Sequence, residues 1–175
     1  MKKLCTKNLL FIGATLLSLN VSAVQTCYSE LTTTSDTANF TLLSNGLAQD
    51  KITGLMWSRC AYGQTWDSAN TTCTGTASQI TWQDALQASV NASDGGYTDW
   101  RVPNVKEIAT IVEKSCVEPS LNEAVFPASS SENFWTATTV MGTETAAWGV
   151  AFYNGKNNTK EKLLDLHVRF VRFAQ

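Results

Sequence analysis

The chain has 175 residues, 43% of them hydrophobic and 16% charged, with 13 lysines and arginines against 15 acidic residues and one histidine. That length and composition suffice for one globular core. The acidic balance excludes the basic footprint that nucleic acid or an anionic membrane surface requires.

Residues 1–23 read as a secretory signal. Lys2, Lys3 and Lys7 precede an apolar run from Leu9 to Leu19, and Val21-Ser22-Ala23 supplies small residues for a peptidase. The run is shorter than the roughly 20 residues that span a bilayer. Cleavage after Ala23 removes Cys5 and leaves residues 24–175 as a single domain with a net charge of −5. The expected location is the periplasm, the cell surface or the medium, with no membrane insertion after cleavage.

Four cysteines remain, Cys27, Cys60, Cys73 and Cys116. In an exported chain an even count predicts two disulfides, and four cysteines allow three pairings. Cys60 and Cys73 bracket a segment rich in Gly, Asn, Ser and Thr that needs a staple to stay ordered, which favours pairing them and leaves Cys27 with Cys116. Zinc is disfavoured, because there is no CxxC spacing and only one histidine.

Cys27 to Asp36 is a polar tether. Phe40 to Asp50 predicts a small hairpin around Ser44-Asn45-Gly46, and after a second turn at Thr53-Gly54 the segment Leu55-Met56-Trp57 enters the core. Thr81 to Val90 predicts a helix capped by Thr81, with Trp82, Ala85, Leu86 and Val90 on its buried face. Gly95 and Gly96 are expected to end that helical run. Tyr97 to Val102 is a short extended segment that carries Trp100 across the core, since Pro103 keeps Val102 out of the α region. Asn104 caps a second helix running to about Lys114, with Glu107 placed for a capping box and Val105, Ile108, Ile111 and Val112 as its apolar stripe.

Beyond Cys116 the chain is β-rich. Glu118-Pro119 and Phe126-Pro127 bound an irregular loop. Phe134 to Thr138, with Trp135, reads as a strand, as does Ala146 to Tyr153, where Trp148, Val150 and Phe152 share a face. Asn154-Gly155 marks a turn. In a last strand from His167 to Phe173, Arg169 and Arg172 point to opposite faces, either one available to a carboxylate such as Glu107. Trp57, Trp82, Trp100, Trp135 and Trp148 form the expected aromatic core.

Catalytic signatures are weak. His167 with Asp165 is the one acid–base pair suggested by spacing, and no Gly-x-Ser-x-Gly elbow or reactive cysteine supplies a nucleophile. Asp99, Glu107, Glu113, Glu118, Glu132 and Glu144 offer carboxylates in no diagnostic arrangement. No EF-hand spacing occurs. The expectation is no catalysis, no metal and no cofactor.

The ordered blocks TGLMWSRC (53–60), GQTWD (63–67), TWQDAL (81–86), GGYTDWRVPNVKEI (95–108), FWTAT (134–138), AWGVAF (147–152) and HVRFVR (167–172) resemble one family of bacterial exported domains. It is named after the C-terminal domain of the Legionella collagen-like protein. The resemblance implies an α+β, C-type-lectin-like fold in its formylglycine-generating-enzyme-like branch, with two helices packed on a twisted antiparallel sheet. It also implies an adhesion or surface-recognition module, since the namesake domain ends a collagen-like adhesin that binds sulfated polysaccharide. This chain has no collagen repeat, lacks the Glu-Pro-Asn and Trp-Asn-Asp signatures of calcium lectins, and has no cysteine after Cys116 to match the catalytic pair of formylglycine-generating enzymes.

The leading expectation is therefore a non-enzymatic binding module for a polysaccharide or a surface protein. Its loops between Thr136 and Leu166 would hold the ligand, with Tyr153, Asn154, Lys156 and Asn157 as contacts. An accessory subunit of an envelope or pilus-like assembly is the alternative. An enzyme acting on a surface polymer through Asp165 and His167 comes third.

Overall fold

The computed structural model describes residues 24–174; the signal expected over residues 1–23 lies outside them. Eleven strands are present among the described residues: β1 (Thr26–Cys27), β2 (Phe40–Leu42), β3 (Leu47–Asp50), β4 (Leu55–Ser58), β5 (Thr65–Asp67), β6 (Thr72–Thr74), β7 (Cys116–Val117), β8 (Asn133–Val140), β9 (Thr143–Ala151), β10 (Lys156–Glu161) and β11 (Val171–Phe173). Two α-helices, α1 (Trp82–Val90) and α2 (Val105–Ile108), complete an α+β architecture. The strands do not form the single twisted sheet expected from the resemblance. They make a four-stranded sheet in the order β11-β4-β3-β2, a three-stranded sheet β10-β9-β8, and the two-stranded pairs β5-β6 and β1-β7, antiparallel throughout.

β3 and β4 are covered on both faces, and their period-two alternation feeds two cores. Ala48, Leu55 and Trp57 join Phe40, Ile108, Ile111, Phe126, Phe134, Val150 and Phe152 on one side. Leu47 and Met56 join Trp100, Val102, Trp135, Val168 and Phe170 on the other. Trp57, Trp100 and Trp135 are buried as expected. Trp82 and Trp148 are only half-buried, so the aromatic core is smaller than the sequence reading made it.

Helix α1 begins as predicted, with the Thr81 side chain accepting from the Asp84 amide. Its buried stripe is Ala85 and Ser89, flanked by half-buried Trp82 and Leu86, while Val90 is 68% exposed. Val90 lies five residues beyond Ala85, about 140° round the helix, which carries it off the buried side. The helix caps at Asn91, and Gly95 and Gly96, with φ of 59° and 87°, close a separate 3-10 turn instead. Gly95 is needed there for space as well, since a Cβ would lie 2.5 Å from Leu47 Cδ1.

Helix α2 has the full capping box: Asn104 accepts from the Lys106 and Glu107 amides, and Glu107 reaches back to the Asn104 amide. It is much shorter than predicted, passing into a 3-10 turn over Ala109–Ile111. Thr110, Ile111 and Val112 are all β-branched and weaken the helix. Val112 turns extended and bridges Leu121, and the Glu113 amide donates to Ser120 O. The carboxylate of Glu107 is taken by Arg101, bidentate at 2.7 Å, and not by either arginine of the last strand. Arg172 pairs with Asp99 at 2.6 Å.

The expected last strand is regular only over β11. Before it, Leu166 bridges Ile80 and His167 bridges Phe134, which threads the segment between the sheets. Both disulfides are formed, Cys60–Cys73 and Cys27–Cys116. The first clasps the β5–β6 hairpin, structure that the polar composition of that segment hid. On loop-closure entropy it contributes about 3 kcal/mol. No helix among the described residues is long and apolar enough to cross a membrane.

Candidate functional site

The residues expected to bind ligand fall at the β9–β10 turn. Tyr153, Asn154, Lys156 and Asn157 are all exposed there, Tyr153 by 40%. Asn154 Oδ1 accepts from the Lys156 amide and tightens the turn. Lys156 and Asn157 are neighbours on β10, so their side chains leave opposite faces. None of the four lines the cleft described next.

A cleft of about 560 Å³ lies beside the β2–β3 turn. Leu42, Leu43 and Ser44 of the β2–β3 turn form one wall, Ser68 and Thr71 of the β5–β6 turn another, and Glu123, Ala124 and Pro127 a third. Arg59 and Trp66 close its floor. A second cavity of about 310 Å³, lined by Asn45, Gly46, Gln64, Thr65 and Asp94, shares Trp66 as a wall.

Each wall follows from local sequence. Trp66 sits in the middle of β5, and its indole N–H donates to Ser44 O at 2.9 Å, tying one hairpin to the other. Gly46 takes a φ of 83° to turn the chain, and a Cβ there would sit 2.5 Å from Trp66 Cγ. Only glycine permits both the turn and the close approach. Arg59 covers the indole, its Cζ 4.2 Å from the ring centroid. The ring is thus a fixed wall and not an open stacking platform. Trp57 is fully buried.

Arg59 is 5% exposed. Its Nε donates to Val125 O at 2.7 Å and its Nη2 to Ala124 O at 3.0 Å, which leaves Nη1 without a partner among the described residues. Burial pushes its pKa below the ordinary arginine value. Behind it lies Arg169, fully buried, with Nη1 donating to the carbonyls of Ser58 and Arg59 and Nη2 to Ser129 Oγ. Burial, and then the charge of Arg59, push the Arg169 guanidinium down to about 9. It remains charged at neutral pH. Neither arginine has a carboxylate within ion-pair distance among the described residues. Carbonyl oxygens and ring faces solvate both cations instead: Arg169 Cζ is 4.8 Å from the Phe126 centroid.

His167 is not arranged for catalysis with Asp165. It is buried while Asp165 is exposed. Its Nδ1 is 3.1 Å from Ser78 O and its Nε2 is 3.3 Å from Gln79 Nε2. A carbonyl can only accept, so Nδ1 carries the proton and Nε2 accepts from the amide. Burial lowers the pKa, against the raising effects of Ser78 and Glu132, and the ring is neutral with both nitrogens engaged. No group of three or more potential metal ligands gathers among the described residues.

Sequence reasoning passed over Arg59 and Trp66, although both lie in quoted blocks, WSRC and GQTWD. An arginine between a core tryptophan and a disulfide cysteine was the available signal: a cation there must be buried, and a buried cation without a carboxylate is seldom incidental. No curated protein matches the chain. Residues 46–172, which include Arg59, Trp66, Asp94 and Glu123, match the family model of the Lcl C-terminal domain. The chain belongs to the Lcl C-terminal domain family.

Proposed function

We propose that the chain is an exported, non-enzymatic binding module on a C-type-lectin-like scaffold, and that its ligand, a glycan or a surface protein, docks in the cleft floored by Arg59 and Trp66. The observation that carries this reading is Arg59 itself. An arginine 5% exposed as a residue, its guanidinium fixed by two backbone carbonyls, presents one uncommitted nitrogen to an open cleft. Such a donor is pre-organised for an acceptor from outside, which lowers the ordering cost of binding. The two disulfides suit an oxidising compartment.

On a glycan and envelope-protein array, Arg59→Met should lower affinity for the retained ligand at least about tenfold, the effect of losing one charge-assisted hydrogen bond. Trp66→Ala, which removes the shared wall, should do the same. Tyr153→Ala combined with Lys156→Ala should leave binding unchanged. Retention that survives Arg59→Met in a folded protein, or that is lost with the Tyr153 and Lys156 pair, would overturn the assignment.

An accessory-subunit role has one observation in its favour. Met141 is 99% exposed at the β8–β9 turn and Leu163 is 89% exposed after β10. The Lys162 amide donates to Thr145 O and its Nζ to Glu144 O, which sets these tips at the same end of the sheet. If that end docks onto a larger assembly, Met141→Ser with Leu163→Ser should release the chain from a co-purifying partner while Arg59→Met does not. The converse pattern would remove the reading.

A further inference from the structure

The cleft does not end at Trp66. The indole is the common wall of the 560 Å³ cleft and the 310 Å³ cavity, and adjacent residues line the two sides: Ser44 and Arg59 on one, Asn45, Ser58 and Cys60 on the other. The lining of this double depression mixes apolar walls from Leu42, Leu43, Pro127 and Trp66 with polar side chains, several of them uncommitted. Among the described residues, the hydroxyls of Ser44, Ser68, Thr71 and Thr65 donate no hydrogen bond, and the carboxylates of Glu123 and Asp94 accept none. The amides of Asn45 and Gln64 are by contrast engaged, with Gly95 O, and with Ala61 N and Ala128 O.

The geometry points to a two-subsite groove for a linear, uncharged oligosaccharide, one sugar ring on each side of Trp66; this rests on the cleft being the binding site. The charge pattern selects the chemistry. Glu123 offsets Arg59 in one subsite and Asp94 is the only charged one among the described residues lining the other, so neither has the excess positive charge an anionic ligand needs, and each carboxylate accepts from the hydroxyls of a neutral one. Arg59 Nη1 donates to a ring or hydroxyl oxygen, and the serine and threonine hydroxyls serve as either partner. A fixed guanidinium donor together with carboxylate acceptors matches the alternating donors and acceptors of vicinal hydroxyls. The cavities are within the size range of small-ligand sites, with room for a ring in each.

The test is calorimetric titration of the mature chain with neutral oligosaccharides of one to four hexose or N-acetylhexosamine units, with uronate oligomers of equal length and an uncharged peptide as contrasts. Affinity should rise at least about tenfold from one unit to two, the gain from occupying a second linked subsite. Asp94→Asn with Thr65→Ala should return the two-unit ligand to the one-unit affinity. Both residues are exposed, so these changes spare the fold, and Arg59→Met should weaken ligands of every length. Equal affinity for one and two units, no effect of the Asp94 and Thr65 changes, or tighter binding of the uronate or the peptide would overturn the two-subsite assignment while leaving the cleft as the site, provided Arg59→Met still weakens binding. Binding insensitive to Arg59, or none at all, would remove both.

Discussion

Arg169→Ala should destabilise the domain by about 3–5 kcal/mol, measured as a fall in the urea midpoint of the disulfide-intact protein. Arg169 is fully buried and binds the carbonyls of Ser58 and Arg59 and the hydroxyl of Ser129. Truncation leaves a cavity against Phe126 and strands the two buried carbonyls of Ser58 and Arg59 without their donor. Lysine should not rescue, because a single ammonium cannot reproduce the planar fork that reaches both sides. Burying this cation is itself costly, as its lowered pKa indicates. What the side chain provides in return is a fixed backbone at Ser58 and Arg59. Arg169 is thus a positioning residue for the cleft, and Arg169→Lys should weaken ligand binding even at temperatures where the variant is fully folded.

Glu113→Gln should cost about 2–4 kcal/mol at neutral pH and make the stability less sensitive to acid. The chain from Val24 to Asn39 buries a single residue, Ser35. It is held on the domain by Cys27–Cys116, by Gln25 bonding Pro119 O and Leu121 O, and by the Glu113 carboxylate. That carboxylate accepts from the amides of Thr34, Ser35 and Ser115 and from the Ser115 hydroxyl. Burial pushes its pKa up, but the hydrogen bonds from Ser115, Ser35 and Thr34 outweigh burial and hold it below the ordinary glutamate value. A folded pKa below the unfolded one gives stability that is complete above about pH 4.3 and is lost as pH falls through the folded value. The wild-type midpoint should therefore drop in that window, and the gap between wild type and Glu113→Gln should close there. A constant gap down to pH 2 would contradict the latch.

Local chemistry was legible in the sequence where one residue sets it. The Thr81 cap, the Asn104–Glu107 box, the hairpin at Ser44 to Gly46 and the turn at Asn154-Gly155 each depend on a side chain or a glycine acting within a few residues. Burial of Trp57, Trp100 and Trp135 followed from apolar neighbours. What was not legible depends on tertiary partners. Helix α2 stops early because Val112 and Glu113 find Leu121 and Ser120 across the chain. Trp148 looked like a core residue by alternation, yet its strand lies beside the exposed β10, which leaves the ring half-buried. Periodicity gives the face a side chain leaves, and the covering of that face comes from elsewhere.

The cleft was passed over for the same reason. Tyr153, Asn154, Lys156 and Asn157 show their polar residue types on a turn within a few positions, whereas Arg59 and Trp66 line one cleft only when the β5–β6 hairpin folds back on the β2–β3 turn. That juxtaposition joins segments more than twenty residues apart through one indole hydrogen bond to Ser44 O. It leaves no periodic trace. The glycine that permits it, Gly46, was visible as a turn signal but not as the close neighbour of a ring.

The location of the site can be read residue by residue from the amide and indole resonances of ¹⁵N-labelled residues 24–175 during titration with a neutral tetrasaccharide. The Trp66 Nε1–H and Arg59 side-chain signals should shift progressively while Asn154, Gly155 and Lys156 stay in place. Movement confined to the β9–β10 turn, with Trp66 and Arg59 unmoved, would contradict the assignment of the cleft.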